Sequence, residues 1–453
     1  MKKTFLVCTI TIISVLCVQV GISYASDSKQ GIEDKAFLIR EGILCLHQDT
    51  VVFDQNGKKV RIALSEPVII AMAERPEKWG YFQFPSISRA DDGTLLVCWQ
   101  MNDDSYETLG KDSGRKDNNR RISKDGGFTW TYPDKEYNIP IGFYQFPLKN
   151  GDKLQVETPA SVNIKDYDGF PKEDCKVDFY TFFSESSLPD KFKGCYIAYW
   201  NSRGQKFNYI HSNLIDSGLY KYAVAGYFPF IWWGDIKDLG NGSYVAGVNA
   251  GFYSDEKGSV LPSGISFYKT DDGCRNWVLQ SVIPYEPDAE LDPYGKKRKV
   301  DGFSEPAFEI LRDSTYLCVI RSSDGHQSPM YRAFSYDRGK SWTKAEPFTP
   351  NGVFPSLMLM GNGALVLASG RPGIQLRFSL DGKGVDWTEP LEMMSFMKDD
   401  STYEALGTCG YAQLLGIDDN SFYILYSDFN EKNSQGELRK TIKIRKVTVT
   451  IEY

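Results

Sequence analysis

The sequence predicts an all-β fold, on three observations. Apolar runs of about five to seven residues recur along the chain, they are joined by turns rich in Gly, Asn and Asp, and little of the sequence has the period of a long amphipathic helix. Each run has the length of a strand, and each joint has the residues of a hairpin turn.

Taken in order, the chain opens with Lys2 and Lys3, an apolar run over residues 5–20, and Ser-Tyr-Ala before Ser26. This reads as a secretory signal peptide, residues 1–25, cut after Ala25. A retained anchor is the lesser reading, because the run is short and is broken by Thr9, Thr11, Ser14 and Gln19. Lipidation at Cys17 is weaker still, since Leu16 stands where a small residue is expected. No second long apolar segment follows, so no stable membrane span is expected and the mature chain should be exported, periplasmic or extracellular. Removing Lys2 and Lys3 takes the formal charge from −7 to −9. So acidic a chain argues against a nucleic-acid partner, and an anionic ligand would need locally placed arginines.

Cys45, Cys98, Cys175, Cys195, Cys274, Cys318 and Cys409 remain after cleavage, an odd number without a Cys-x-x-Cys pair. Cys98 and Cys318 lie inside apolar runs and read as core residues. A bridge between Cys175 and Cys195 is left open. His47, His211 and His326 are far apart and lack ligand spacing, so no metal and no cofactor are expected.

A repeat outranks the domain count that length alone suggests. Its unit is a bend with Pro or Gly, an apolar strand, a polar turn and a second apolar strand. It appears as "FPSISRADDGTLLVCW" from Phe84, "FPFIWWGDIKDLGNGSYVAGV" from Phe228, "EPAFEILRDSTYLCVI" from Glu305, "FPSLMLMGNGALVLAS" from Phe354 and "GYAQLLGIDDNSFYILY" from Gly410. Four of the five are followed by Ser/Thr-x-Asp-x-Gly-x-x-Trp: "SKDGGFTW", "TDDGCRNW", "SYDRGKSW" and, with one extra residue, "SLDGKGVDW". The physical content is a turn in which Asp accepts backbone N–H bonds, Gly takes a conformation other residues avoid, and Trp packs beneath the hairpin. Cys274 replaces the Gly in one copy. The long interval between the first two copies should hold a unit without this turn, within residues 145–215.

These turns are Asp-boxes (BNR repeats), and from Trp79 onward the chain resembles the sialidase (neuraminidase) superfamily, whose members are six-bladed β-propellers. The resemblance implies one propeller over residues 76–453. Residues 26–75 form a lead-in expected to supply closing strands together with the final "TIKIRKVTVTIEY". It also implies that Asp125, Asp272, Asp337 and Asp381 are structural.

What could carry chemistry stands at strand ends, which in a propeller converge on the central channel. Glu305 precedes Pro306, Arg321 ends the next apolar run, Arg371 ends the corresponding run one unit later, and Tyr411 opens the last unit. The resemblance implies a retaining exo-glycosidase with Tyr411 as nucleophile, Glu305 as its base, and Arg321 and Arg371 on a substrate carboxylate. A neutral phenol avoids the repulsion that a carboxylate nucleophile would meet at a sugar acid, but with a pKa near ~10 it needs a base. The acid should lie in the loop "QMNDDSYETLGKDSGRKDNNRR": Asp103 or Asp104, nearest the strand end, ahead of Asp112 and Asp117. Arg120 and Arg121 read as outer-strand positions.

One departure stands out. Where the family has an arginine before Ile-Pro, this chain has Gln83 before Phe84 and Pro85. Gln83 can donate and accept but carries no charge. An exo-acting hydrolase of a terminal acidic sugar remains the leading reading, with a glycan as partner. A neutral-sugar glycosidase, a uronate lyase and a non-catalytic glycan-binding propeller are the alternatives.

Overall fold

The computed structural model describes residues 45–111, 118–134, 137, 139–142, 144–249, 251–322, 328–371, 373–394 and 407–452. The expected signal peptide, Asp112, Asp117 and His326 lie outside them. Short 3-10 turns are the only helical segments among the described residues, and the rest of the regular structure is strand. No described helix is long and apolar enough to cross a membrane.

The strands form antiparallel sheets whose first members follow one another around a common channel. Phe303–Ile310 packs against Trp233–Gly240 on one side and Val353–Leu359 on the other. Val353–Leu359 meets Ala412–Asp418, which meets Tyr81–Arg89. The Gln145 Nε2 donates to the Ile87 carbonyl at 2.9 Å, and Gln145–Pro147 touches Trp233–Gly240, so the circuit closes. The apolar cores lie between successive sheets. One holds Val366, Phe378, Phe422 and Ile424, and another Phe267, Phe308, Tyr316 and Tyr331, all almost fully buried.

The N-terminal strands Cys45–Phe53, Lys59–Ser65 and Val68–Met72 join the sheet built on Leu438–Glu452, so the two ends of the chain share one sheet. Gln145–Pro147, Lys153–Glu157, Cys195–Asn201 and Lys206–Ile215 pair in sequence, and Lys206–Ile215 then runs parallel to Asn276–Ile283. One strand start differs from the sequence reading. The bend at Phe228 belongs to a separate five-stranded sheet inserted within residues 162–228, and the inner strand opens only at Trp233. Cys175 and Cys195 are separate free thiols, so that bridge is absent.

The recurring Asp turns are bonded as turns. Asp125 accepts from the Phe128 and Thr129 N–H groups at 3.1 and 3.0 Å and from the Ser123 hydroxyl at 2.8 Å. Asp272 repeats this with Arg275, Asn276 and Thr270, and Asp337 with Ser341 and Ser335. Cys274, with φ of 70°, takes the left-handed conformation that glycine takes in the sister turns. Burial works against the Asp125 and Asp272 charges, but the hydroxyl and N–H donors outweigh it and hold both carboxyls below their usual range. The Ser341 donors take Asp337 down to about 2.

Depressed folded pKa values give stability that is present above the unfolded value near ~3.9 and is lost as pH falls through the folded value. Acid unfolding should therefore set in below about pH 4. Asp125→Ala should cost about 1–2 kcal/mol, with the folded structure otherwise unchanged. A denaturant melt beside a far-UV circular dichroism spectrum checks both, and a melt that coincides with wild type would contradict the structural role.

Candidate active site

Phe84, Glu305 and Phe354 each stand just before a proline at the start of an inner strand. All three have positive φ (48°, 46° and 43°), and the strand register breaks at each. A left-handed non-glycine residue before proline is strained by roughly 1–3 kcal/mol and persists only where its surroundings enforce it. A bulge of this kind re-aims the side chain. Here it brings Phe84 and Phe354 onto Tyr411 and lets Glu305 meet Tyr411 and Arg321.

Tyr411 and Arg371 come together through two glycines. A Cβ on Gly370 would strike the Gly410 carbonyl, and one on Gly410 would lie 2.8 Å from the Arg371 Cγ. Only glycine at both places lets these strand ends approach. The Tyr411 ring then stacks on Phe354 (centroids 4.4 Å, interplanar angle 13°) and meets Phe84 edge-on at 4.8 Å.

The polar centre is compact. The Tyr411 hydroxyl donates to the Glu305 Oε1. The Arg321 Nη1 donates to the same oxygen at 2.7 Å and lies 3.3 Å from the Tyr411 hydroxyl. The Phe354 N–H donates to the other oxygen, Oε2, at 3.0 Å. Glu305 is therefore oriented at both oxygens, and its side chain is only 11% exposed. The Arg371 Nε donates to the Cys409 carbonyl at 3.1 Å, with its guanidinium 6.0 Å from the Tyr411 ring centre.

These contacts set the charge states. Burial pushes the Glu305 carboxyl up, but the Arg321 charge and hydrogen bond, with Tyr411 and Arg371 adding to them, hold it below the usual range. Burial and the Glu305 charge drive the Tyr411 phenol well up, against the pull of both arginines. Arg321 is held above its ordinary value by Glu305 and Tyr411 despite burial. The resting pair is a carboxylate accepting from a protonated phenol, with a guanidinium placed to stabilise a phenolate. The phenol oxygen therefore has a carboxylate within hydrogen-bond reach that is able to take its proton.

The other residues singled out in the sequence fall differently. Asp104 accepts from the Trp79 indole N–H at 2.8 Å, and the Trp79 ring lies 5.5 Å from the Arg371 guanidinium, so Asp104 reaches the cluster through one aromatic residue. Asp103 pairs instead with Lys78 at 2.6 Å. Gln83 is fully buried. In the amide orientation that satisfies both of its ends, it accepts from the Gly80 N–H at 3.3 Å and from Lys440 Nζ at 3.1 Å. Its amide oxygen is therefore engaged by donors of the protein itself. Lys440, from the C-terminal strand, also donates to the Lys78 carbonyl and lies over the Phe429 ring. Arg120 and Arg121 sit on the outermost strand of their sheet, and the Arg121 guanidinium covers Tyr132.

Several site neighbours escaped the sequence reading. Tyr144, stacked on Trp233 at 5.6 Å, approaches Phe354 at 6.5 Å and feels the Glu305 charge. The Trp233 N–H donates to Thr158, next to Glu157, whose carboxyl burial pushes up. The signal available for Phe84 and Phe354 was their shared place before proline in the repeat. Phe354 also lines a cavity of about 260 Å³, together with Glu305, Gln145, Asp235, Lys237 and Gln413, among others.

No protein-family model matches the chain, and no curated protein matches it. Solved structures of similar fold include a protein of unknown function from Dyadobacter fermentans DSM 18053, 18% identical, with a TM-score of 0.56 over 86% of this chain and 99% of that one. Others are the Hadza microbial sialidase Hz136 (16% identical, TM-score 0.44, 80% of this chain and 65% of that one) and an α-L-arabinanase from Penicillium chrysogenum (13%, 0.44, 83% and 97%). At these identities the likeness is one of fold.

Proposed function

We propose that this chain is a six-bladed β-propeller glycoside hydrolase of sialidase type, with Asp-box turns on its blades, that removes a terminal acidic sugar from glycans with retention. In this reading it is exported once residues 1–25 are cut away. The observation that carries the proposal is the buried Tyr411–Glu305–Arg321 centre. A glycan-binding propeller needs sugar contacts, but it has no use for a phenol hydrogen-bonded to an oriented carboxylate.

The reaction would run as follows. Glu305 takes the Tyr411 proton as the phenol oxygen attacks the anomeric carbon, and Asp104 gives a proton to the departing glycosidic oxygen. The bond from anomeric carbon to tyrosine oxygen is then broken by water, whose proton Asp104 accepts, while Glu305 returns its proton to Tyr411. Arg321 and Arg371 face the sugar's carboxylate as paired donors. With an uncharged, buried Gln83 bonded to Gly80 and Lys440, the ligand carboxylate would be held by these arginines without a third at that position. Sugar acids smaller than or different from sialic acid therefore belong among the substrates tried.

A panel of fluorogenic glycosides of terminal sugar acids and neutral sugars tests this. Release of an acidic sugar is expected, and no release of any sugar alongside saturable glycan binding would overturn the hydrolase reading. Because Glu305 is held low, it stays ionised through neutral pH, and the acidic limb of kcat/KM should lie below ~4.3, the ordinary Glu value.

A further inference from the structure

The loop that carries Asp104, residues 102–111, is shaped by its own hydrogen bonds. The Asn102 Nδ2 donates to the Thr108 and Lys111 carbonyls at 3.2 and 2.9 Å, and the Thr108 hydroxyl donates to the Asp103 carbonyl at 2.6 Å. The Thr108 and Leu109 N–H groups bond back to the Ser105 carbonyl, and the Lys111 N–H to that of Thr108. These bonds fold the loop but do not tie it to the rest of the molecule. At its near end it rests on residues 79 and 80: a Cβ on Gly80 would strike the Asn102 carbonyl and the Asp104 nitrogen, and the Trp79 indole donates to Asp104.

At its far side the loop rests on the inserted sheet. Tyr106 and Leu109 pack into an apolar group with Tyr180, Phe182 and Tyr222 of that sheet. The Tyr106 ring meets the Tyr222 ring edge-on at 6.4 Å, and burial pushes its phenol up. Ser161, buried just before the sheet begins, donates its hydroxyl to the Glu107 carbonyl at 3.0 Å and its N–H to the Leu109 carbonyl at 2.9 Å. Lys111 lies over the Tyr227 ring at 5.4 Å. The same apolar group also holds Val300, and Tyr180 donates its hydroxyl to the Asp301 carboxylate at 2.9 Å. One insert therefore grips both the Asp104 loop and the segment that leads into Phe303–Ile310, the strand of Glu305.

We infer that the inserted sheet is a clamp on the Asp104 loop, with Tyr106 as its anchor and as a positioning residue for the proton donor. The role toward the proton donor rests on the hydrolase reading above, while the clamp itself does not. A carboxyl can protonate a leaving oxygen only from within hydrogen-bond reach, and a misplacement of about 1 Å can cost about 100-fold in rate. Asp104 is exposed and stands two residues from Tyr106, so what fixes the Tyr106 ring also fixes the acid. The grip is the buried ring, which Tyr106→Phe keeps and Tyr106→Ala removes.

Hydrogen exchange on the full chain, without substrate, reads the clamp. The Thr108, Leu109 and Lys111 amides should exchange roughly tenfold faster in Tyr106→Ala, with the amides of Phe303–Ile310 unchanged and Tyr106→Phe close to wild type. Ser161→Ala, which removes one hydroxyl donor from the same loop, should speed the same amides by a smaller factor and serves if Tyr106→Ala does not fold. Two glycosides of whichever sugar the panel releases then read the acid: a 4-nitrophenyl glycoside, whose leaving group needs little protonation, and an alkyl glycoside, whose leaving group needs it. Tyr106→Ala should lower kcat/KM for the alkyl glycoside roughly ten times more than for the nitrophenyl one, and Tyr106→Phe should restore both. Exchange equal to wild type in Tyr106→Ala and Ser161→Ala overturns the clamp whatever the activity. Faster exchange with equal losses on the two glycosides overturns the positioning role and leaves the hydrolase reading standing. Faster exchange in a protein whose wild type releases no sugar upholds the clamp and sinks the hydrolase reading, and the positioning role with it.

Discussion

Tyr411→Phe is expected to lower turnover by at least ~100-fold while leaving the fold intact. The substitution removes one oxygen and nothing else. The ring keeps its stack on Phe354 and its edge contact with Phe84, so the wall of the site retains its shape. Glu305 keeps the Arg321 bond and the Phe354 N–H, so no buried carboxylate is stranded. What disappears is the atom that would form the bond to the anomeric carbon. Glu305→Gln should fall by a similar factor for the complementary reason: an amide cannot take the phenol's proton, although it can still accept a hydrogen bond from it. The paired measurement is kcat on the best glycoside from the panel, with the melting curve recorded for each variant. Full activity in either variant would place the nucleophile and its base elsewhere.

Much of this site could be read from the sequence, because it rides on the repeat. Glu305, Arg321, Arg371 and Tyr411 occupy comparable points of successive strand pairs, and the channel geometry brings such points together. The structure gathers those four residues and adds what the repeat does not encode. Positive φ at Phe84, Glu305 and Phe354 arises from tertiary enforcement against local preference, although the shared proline marks the place. Lys440 lies far along the chain from Gln83, and only pairing of the terminal strands brings it near, so nothing local to Gln83 could announce its partner. Phe228-Pro229 looks like the opening of a unit, but the strand that faces the channel opens at Trp233.

The second large effect should appear in stability. Arg321→Met is expected to cost about 3–5 kcal/mol at neutral pH, because it leaves the Glu305 charge buried without its bonded partner. The pair is well shielded, with side chains 15% and 11% exposed, so solvent cannot take over the role of the guanidinium. The sign of the pH dependence separates this cause from simple loss of packing. In the wild type the folded Glu305 pKa is depressed, chiefly by Arg321 against burial. Its contribution is therefore present above the unfolded value near ~4.3 and fades as pH falls through the folded value. Without Arg321, burial dominates and the folded pKa rises above the unfolded one. The carboxylate then destabilises the variant at neutral pH, and protonation relieves the penalty as pH drops. The gap between wild type and variant should narrow on going from pH 7 to pH 4. Adding Glu305→Gln to Arg321→Met should recover a large part of the loss, because it removes the stranded charge. A gap that is the same at both pH values, and that the second substitution leaves unrepaired, would mean that Arg321 stabilises the fold through its contacts alone. In that case the pair could not be credited with setting the protonation state on which the proposed chemistry depends.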